Sequence, residues 1–290
     1  MDVFGAIVAS SRGFMRDAAV GAAAALGVFG ALPGTAEEVA RRLDLPNPRR
    51  LRPLLDVLAL EGITAPPARL PSLPRQGWGL LAEVIRRDRP LPEEGAQLAA
   101  FHEHLRTAGE GPARELMEAL RARSVQGPLL DLGGGTGAYT RAFLEVIGGA
   151  ATLLDREPVL ELARRSSGDA RAGAPWPAQV TLLPGDLLNG DLPGGQGLVL
   201  LANVLHLYGP HDCARIVERA RRAGAVLAVK DLDAASVSGT YFALNMALFT
   251  EAGDVHPLAS LRSWIGPCEE VRLASAPDAV TLIARGVPEP

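Results

Sequence analysis

Residues 129–143 read LLDLGGGTGAYTRAF: a short apolar run, a glycine-rich turn and then a segment of helical character. Gly133, Gly135 and Gly137 have no side chain at points where the backbone must turn sharply and come close to a ligand. The amino end of the helix that follows would favour a negatively charged group of that ligand. The stretch therefore predicts a strand, a loop and a helix that together bind a nucleotide-like molecule.

From residue 127 onward the apolar residues come in seven short runs, each a candidate for a buried strand. Helical segments separate the earlier runs, so we predict an α/β fold with a doubly wound, parallel sheet. Only Pro277 and Asp278 join the last two runs. That link is too short for a parallel crossover and predicts an antiparallel hairpin. The runs are PLLDL, ATLLD, QVTLLPGD, GLVLLANVL, AVLAVKDLD, EEVRLASA and AVTLIARG.

The first 65 residues are predicted to be helical, in the pattern of a winged-helix module. Thr35 and Glu38 in TAEEVARRL have the spacing of a capping box. The next segment, PNPRRLRPLLDVLALEGI, carries leucines at helical spacing and stops at Gly62. The Pro-rich residues 65–80 would form an irregular wing.

Three arginines of the second of these helices, Arg49, Arg50 and Arg52, allow two interpretations. They contact DNA phosphates, as in helix-turn-helix proteins, or they form a solvated face of a module that packs and dimerises. The net charge of −4 and the pI of about 5.8 give no electrostatic support for binding nucleic acid or an anionic membrane. We therefore favour the dimerisation module.

Composition bounds the class of protein and its compartment. With 48% hydrophobic and 21% charged residues, the 290-residue chain is typical of a folded globular protein. Its two cysteines are far apart and lack metal-ligand spacing, which suits a reducing compartment and predicts no bound metal. There is no basic leader, and the apolar run 18–32 is too short to span a bilayer. We expect a cytoplasmic protein.

The predicted domains are a winged-helix-like dimerisation domain over residues 1–95, a helical linker and substrate cleft over 96–125, and a cofactor-binding domain over 126–290. Three aspartates of the last domain follow predicted strands: Asp131, Asp155 and Asp186. Ligands of open α/β sheets bind at the carboxyl ends of the strands, where these carboxylates would meet. A carboxylate before the glycine loop would repel a pyrophosphate, so an NAD site is the weaker interpretation.

These motifs resemble those of class I S-adenosylmethionine-dependent methyltransferases. With the helical amino-terminal region, the chain resembles the small-molecule O-methyltransferases of the plant phenolic and bacterial polyketide type over nearly its whole length. The motifs include RRLRPLLDVL, LLDLGGGTGAY, LLDRE, PGDLL, NVLHLYGPHDCARI and FALNMALFTEAG. The resemblance implies a Rossmann-like sheet of seven strands with the last antiparallel, a homodimer formed by the amino-terminal domain, and S-adenosyl-L-methionine as cofactor. It implies that Asp155 holds the cofactor ribose and that Asp186 and Leu187 hold the adenine, beside the glycine loop.

The resemblance also implies a catalytic base. Enzymes of this family have a histidine just after the fourth strand, and His206 in NVLHLYGPHDCARI matches it. A phenol has a pKa of about 10 and is mostly protonated at neutral pH. A positioned imidazole that removes the proton accelerates such a reaction by about 10²–10⁴-fold. Leu207 and Tyr208 stand where the family usually has Asp-Trp.

The usual partners of that histidine are also changed. Lys230 aligns with the glutamate that normally orients it, and a lysine cannot accept its proton; Asp231 is one residue further on. A second supporting glutamate falls near Val255, which is flanked by Asp254 and His256. Either Asp231 takes over the orienting role, or the histidine is a weaker base, or the reaction is not a standard O-methylation.

The acceptor site is predicted from the segment YFALNMALF, which matches the family helix that lines the acceptor pocket. Asn245, Met246 and Phe249 are the candidate contacts to a small, aromatic or polyketide-like acceptor with a hydroxyl group. Two other functions stay open at this point. One is a relative that keeps the cofactor pocket without methylating, and the other is a DNA-binding regulator.

Overall fold

The computed structural model describes residues 3–72, 76–92, 95–165 and 176–286. In these ranges the amino-terminal part is helical, as predicted. Thr35 caps its third helix with the predicted capping box, in which Glu38 returns a hydrogen bond to the Thr35 backbone. The described residues between the fourth helix and the 3-10 turn Gly77–Leu80 contain no strand and are irregular. The helices are α1 (Val3–Leu26), α2 (Val28–Ala31), α3 (Ala36–Arg42), α4 (Pro48–Leu60), α5 (Leu81–Arg87) and α6 (Gly95–Ala122).

All seven apolar runs form strands of one sheet, which confirms the predicted fold class. The strand order is β3-β2-β1-β4-β5-β7-β6, and β1 to β5 are parallel. β7 runs antiparallel to both β5 and β6, so the predicted hairpin is also confirmed. The strands are β1 (Leu129–Leu132), β2 (Ala151–Asp155), β3 (Val180–Pro184), β4 (Gln196–Ala202), β5 (Gly224–Leu232), β6 (Glu269–Val271) and β7 (Ala279–Arg285).

Helices cover both faces of this sheet. On one face, the carboxyl-terminal half of α6 packs with α7 through Leu116, Met117 and Phe143. On the other face, α9 and α11 pack through Ile216, Val217 and other apolar residues. The helices are α7 (Ala138–Val146), α8 (Glu157–Arg165), α9 (Pro210–Ala223), α10 (Val237–Phe249) and α11 (Leu258–Ile265).

One helix of the carboxyl-terminal part, α10, is shared between two cores. Tyr241, Leu244 and Leu248 are buried in the amino-terminal core with residues of α1, α4 and α5. Phe242 and Met246 pack instead in a small cluster with Leu232 at the end of β5 and with Val255. α10 therefore connects the helical module to the carboxyl end of the sheet. The domain limits at residues 95 and 125 stay a prediction.

The arginines of α4 do not form the solvated face that we expected. Arg50 is completely buried, and Arg49 and Arg52 are partly buried. Arg50 binds the Asp88 carboxylate at 2.5 Å and the Ala247 carbonyl oxygen at 2.6 Å. A buried guanidinium must have hydrogen-bond acceptors. For Arg50 these are the Asp88 carboxylate and a carbonyl oxygen near the end of α10. No helix in the described part of the chain is both long and apolar enough to cross a membrane.

Candidate active site

A cavity of about 570 Å³ lies at the carboxyl ends of β1 to β4, within the size range of small-molecule sites. Parallel strands end on one edge of the sheet, so loops that are distant in sequence meet there. The glycine loop, the ends of β2 and β3, and the turn after β4 all contribute. The lining includes Gly109, Gly133, Gly134, Gly135, Tyr139, Asp155, Arg156, Asp186, Leu187, Asn203, His206, Leu207, Tyr208, Asp212, Phe249 and Glu251.

The glycine loop is confined by its neighbours, which explains the glycines. Gly133 has a φ of +69°, and a Cβ there would lie 2.8 Å from a methyl group of Val204. A Cβ on Gly134 would lie 2.9 Å from the Asp131 carboxyl group. The N–H of Gly135 donates to Asp155 at 2.8 Å, which ties the loop to the end of β2. Side chains would push this backbone away from the sheet.

Asp131 is brought under the glycine loop and is not part of the cavity lining. Its side chain is buried, and its Oδ2 accepts a hydrogen bond from the Thr140 hydroxyl at 2.7 Å. Burial, with a smaller contribution from the nearby Asp155 charge, raises the pKa of Asp131 to about 7. Its predicted contact with the cofactor stays a prediction.

The other two aspartates do line the cavity together with Leu187. Asp155 accepts hydrogen bonds from Gly135 and from the Arg156 N–H at 2.7 Å. Asp186 accepts from the Leu188 N–H at 2.7 Å and from the Asn189 amide at 3.1 Å. The hydrogen bond from Leu188 is the main reason that the pKa of Asp186 lies below its usual value. Two acceptor groups thus stand on the cavity wall at the ends of neighbouring strands.

His206 and Asp231 form a buried pair at the cavity. His206 lies in the 3-10 turn Leu205–Leu207 directly after β4, and Asp231 lies near the end of the neighbouring strand β5. The His206 Nδ1 is 2.6 Å from one Asp231 oxygen, and the His206 backbone N–H donates to the other at 3.1 Å. The Phe242 ring stands nearly perpendicular to the imidazole, with the ring centroids 5.2 Å apart. These contacts fix the orientation of the imidazole.

The electrostatics of the pair favour an ionised Asp231. Burial alone would raise the pKa of this carboxyl, which is only 3% exposed. The facing imidazole of His206 and the hydrogen bonds from the N–H groups of Leu232 and His206 outweigh burial and hold the pKa below its usual value. Asp231 is therefore an acceptor for the Nδ1–H of His206.

The side chain of Lys230, one residue earlier on β5, contacts Asn203. Its buried ammonium donates to the side-chain oxygen of Asn203 at 3.1 Å. Asn203 follows β4 in the left-handed region at φ +59°, and its N–H donates to the Lys230 carbonyl at 2.7 Å. Successive side chains of a strand point to opposite faces of the sheet, so Lys230 and Asp231 cannot both face His206.

The family's second supporting glutamate falls near Val255, and the structure places the residues there as follows. Val255 is buried in the cluster with Phe242. His256 is buried and holds its Nε2 2.9 Å from the Tyr208 carbonyl oxygen and 3.3 Å from the Cys213 sulfur. Val255 has no carboxylate, and the His256 ring contacts the backbone of the turn and Cys213.

Of the three predicted acceptor contacts, Phe249 lines the cavity. Met246 is buried in the cluster at the end of β5, and neither it nor Asn245 is among the lining residues. Both therefore stay predictions without a cavity contact. Leu207, which the sequence marks as a departure from the family but not as a site residue, lines the cavity with 44% of its surface exposed. Its signal was present, because it is an apolar residue in a position where the family has an aspartate.

Comparison with known protein families shows to which family the chain belongs. The family described as an O-methyltransferase domain matches residues 93–255, more than half of the chain. The protein belongs to this O-methyltransferase family, whose enzymes use S-adenosylmethionine as methyl donor and act on small-molecule acceptors. The chain is an enzyme of this class. No curated protein sequence matches it significantly.

Several crystal structures share the fold. An O-methyltransferase family 2 protein from Planctomyces limnophilus, in complex with apigenin, aligns with 99% of this chain and 97% of its own, at 21% identity and a TM-score of 0.65. Human N-acetylserotonin methyltransferase, in complex with S-adenosylmethionine, aligns with 98% of this chain and 97% of its own, at 20% identity and a TM-score of 0.60. Mitomycin 7-O-methyltransferase aligns with 97% of each chain, at 20% identity and a TM-score of 0.57. At these identities the likeness establishes the fold.

The residues present at the cavity fit the family's cofactor. Carboxylates accept hydrogen bonds from hydroxyl and amine groups, and Asp155 and Asp186 provide two of them at the ends of adjacent strands. Residues of the glycine loop line the same cavity. In the described residues, no group of three or more His, Cys, Asp or Glu side chains has the arrangement of a metal site.

Proposed function

We propose that this enzyme transfers a methyl group to the hydroxyl of a small, aromatic or polyketide-like acceptor, with His206 as general base. The observation that supports this proposal is the position of the imidazole. His206 is one of the residues that line the cavity, and its Nδ1 lies 2.6 Å from the buried Asp231 carboxylate.

In this proposal Asp231 fixes the tautomer of His206 that can act as a base. With the proton on Nδ1 directed at the carboxylate, Nε2 carries the lone pair and can accept the proton of an acceptor hydroxyl. The ionised carboxylate then compensates the positive charge that arises on the imidazole. Because a phenol of pKa about 10 is a poor nucleophile when protonated, removal of its proton as the oxygen attacks is the step to which His206 contributes.

The cofactor would be held by the residues around the glycine loop. S-adenosylmethionine, when bound, supplies an electrophilic methyl group on a sulfonium. We propose that Asp155 accepts from the ribose hydroxyls and that Asp186 and Leu187 hold the adenine. Gly133 and Gly135 provide backbone contact, and Asp131 supports the loop from below. The cavity walls would hold the acceptor beside the cofactor, and catalysis would then come largely from positioning.

Two observations bear on the alternative functions, a relative that does not methylate and a DNA-binding regulator. A non-methylating relative was motivated by the missing glutamate, and Asp231 supplies a carboxylate to His206 at hydrogen-bond distance. A DNA-binding regulator would need accessible arginines on α4, and Arg50 is completely buried. Both observations support methyl transfer as the function.

We further propose that the chain forms a homodimer through its amino-terminal module, as the resemblance implies. Light scattering would then give about twice the chain mass of 30.4 kDa. A monomeric mass at micromolar concentration would contradict this part of the proposal.

The proposed function is tested by labelled methyl transfer to a panel of phenols that includes apigenin. We expect His206→Ala to lower kcat by about 100-fold or more, because the proton must then leave without a base. The affinity for S-adenosylhomocysteine, measured by calorimetry, should stay within about twofold of the parent value. His211→Ala is the matched control, since this histidine is exposed on α9. A loss of less than about tenfold in His206→Ala would remove the base assignment.

A further inference from the structure

The loop from Thr250 to His256, between α10 and α11, lies directly against the turn that carries His206. We call it the 250s loop. The Asp254 N–H donates to the His206 carbonyl oxygen at 2.9 Å. The His256 Nε2 lies 2.9 Å from the carbonyl oxygen of Tyr208, two residues beyond His206 in the chain. The loop therefore contacts the backbone of the turn at and beyond the catalytic position.

The 250s loop lies so close to this turn that only glycine fits at position 253. A Cβ on Gly253 would lie 2.5 Å from the His206 carbonyl oxygen and 2.9 Å from that of Leu207. The Gly253 N–H is itself held by the Thr250 hydroxyl at 2.9 Å. Any displacement of the loop would therefore be passed on to the backbone of the turn.

The opposite side of the same loop is held by arginines of α4 in the amino-terminal module. Arg49 donates through Nη1 to the Gly253 carbonyl oxygen and through Nη2 to that of Glu251, both at 2.7 Å. Arg52 forms an ion pair with the Asp254 carboxylate. Asp254 thus joins the two contacts, since its side chain binds Arg52 while its backbone binds His206.

We propose that Arg49 and Arg52 are positioning residues for methyl transfer: through the 250s loop they set where the imidazole of His206 stands in the cavity. This inference rests on the proposed function of His206. Two neighbours hold the turn that carries it, the β5 carboxylate of Asp231 and the 250s loop. Placement matters because a shift of about 1 Å between reacting groups can cost about 100-fold in rate.

A positioning role predicts an effect on rate that exceeds the effect on stability. Arg52 has 39% of its side chain exposed, and ion pairs of this kind add little to global stability. We therefore expect Arg52→Gln to fold normally while the turn relaxes away from its place. Arg52→Lys keeps a positive charge for Asp254 and should restore most of the lost rate.

The decisive measurement is nitrogen-15 NMR of the histidine rings in the full-length protein with S-adenosylhomocysteine. The chain has five histidines, and loss of a signal in His206→Ala assigns that residue. We expect the ring resonances of His206 to shift or broaden in Arg52→Gln and in Asp254→Asn, while those of exposed His211 stay in place. Arg41→Gln, an exposed arginine of the same module, is the control. Unchanged His206 resonances in both variants would overturn the inference.

Kinetics of the best acceptor from the phenol panel provide a second readout. We expect Arg52→Gln to lower kcat about tenfold with the affinity for S-adenosylhomocysteine unchanged. In the His206→Ala background the same substitution should have no further effect, because residues that act through one group are not additive. Equal losses in both backgrounds would show that Arg52 acts elsewhere.

The two proposals fail in different ways. If His206→Ala retains the parent rate, the proposed base is wrong, and the NMR comparison still shows whether α4 holds the imidazole. If His206→Ala loses activity and the Arg52 and Asp254 variants leave both rate and resonances unchanged, the base assignment stands and the positioning role is wrong.

Discussion

At the scale of the residue, the Asp231 carboxylate is the hydrogen-bond partner that orients the His206 side chain. Asp231 binds both the Nδ1 and the backbone N–H of His206, so it holds the ring and the turn at once. By the family resemblance Lys230 aligns with the usual glutamate, and its ammonium donates to Asn203 instead. The carboxylate that contacts His206 is that of Asp231, one residue further along β5.

This dependence predicts the effect of Asp231→Asn. An amide can donate to Nδ1 as well as accept from it, so the tautomer with the lone pair on Nε2 is no longer enforced. We expect kcat to fall by about tenfold or more, with little change in the affinity for S-adenosylhomocysteine. Asp233→Asn, just beyond β5, is the control. Equal rates in the two variants would show that Asp231 does not orient the base.

Asp131 predicts a pH dependence of stability. Its pKa is raised to about 7 in the folded protein by burial, against an ordinary value of 3.8. The folded state therefore retains a proton that the unfolded state has lost between these values, and stability falls as the pH rises from about 4 to 7. Three pKa units correspond to about 4 kcal/mol as an upper bound.

Urea unfolding across this pH range checks the Asp131 prediction. In Asp131→Asn the neutral amide cannot ionise, so the free energy of unfolding should decline less between pH 4 and 7 than in the parent. Asp191→Asn changes an exposed carboxyl and serves as control. Parallel pH profiles of the parent and Asp131→Asn would contradict the assignment.

At the scale of the element, the end of α10 is where the helical module meets the sheet. The last carbonyl groups of a helix have no partner within it, and Arg50 of α4 donates to those of Ala247 and Thr250 at 2.6 and 2.9 Å. A cation at the carboxyl end of a helix is also favoured by the helix dipole. The arginine therefore caps α10 across the boundary between the two parts of the chain.

Arg50→Ala should accordingly lower the free energy of unfolding by about 2–4 kcal/mol, because it removes the donor to two carbonyl groups and the ion pair with Asp88. Urea denaturation gives the value. Arg41→Ala, on an exposed surface of α3, should change it by less than about 0.5 kcal/mol. Similar values for the two variants would show that Arg50 does not act as this cap.

At the scale of the whole molecule, the cavity joins loops from four strands and the end of α10. A ligand that binds there only in the folded state stabilises the entire chain by mass action. At a hundred times its Kd, S-adenosylhomocysteine should add about 2.7 kcal/mol to the free energy of unfolding.

NAD is the matched comparison for this measurement. Asp131 under the glycine loop and Asp186 on the cavity wall are carboxyl groups that disfavour a pyrophosphate, so we expect NAD to leave the thermal midpoint unchanged. Stabilisation by NAD and none by S-adenosylhomocysteine would contradict the cofactor assignment.

The sequence by itself determined the class of fold and most of the cofactor loop. Strand and helix periodicity, the glycine turn and the two-residue link before β7 are local signals, because they depend on neighbouring residues and on the length of connections. For the same reason the positions of Asp155, Asp186 and His206 at strand ends were predictable, since parallel strands end on one edge.

Only the tertiary structure decided which groups contact His206. Whether Asp231 or Lys230 faces the imidazole depends on which face of β5 meets the turn after β4. The sequence left that choice open, because side chains alternate from one face of a strand to the other. The role of the α4 arginines was equally hidden. Their partners lie about 200 residues away along the chain, on the end of α10 and on the 250s loop. Such contacts arise from the packing of separate elements, which periodicity and composition do not encode.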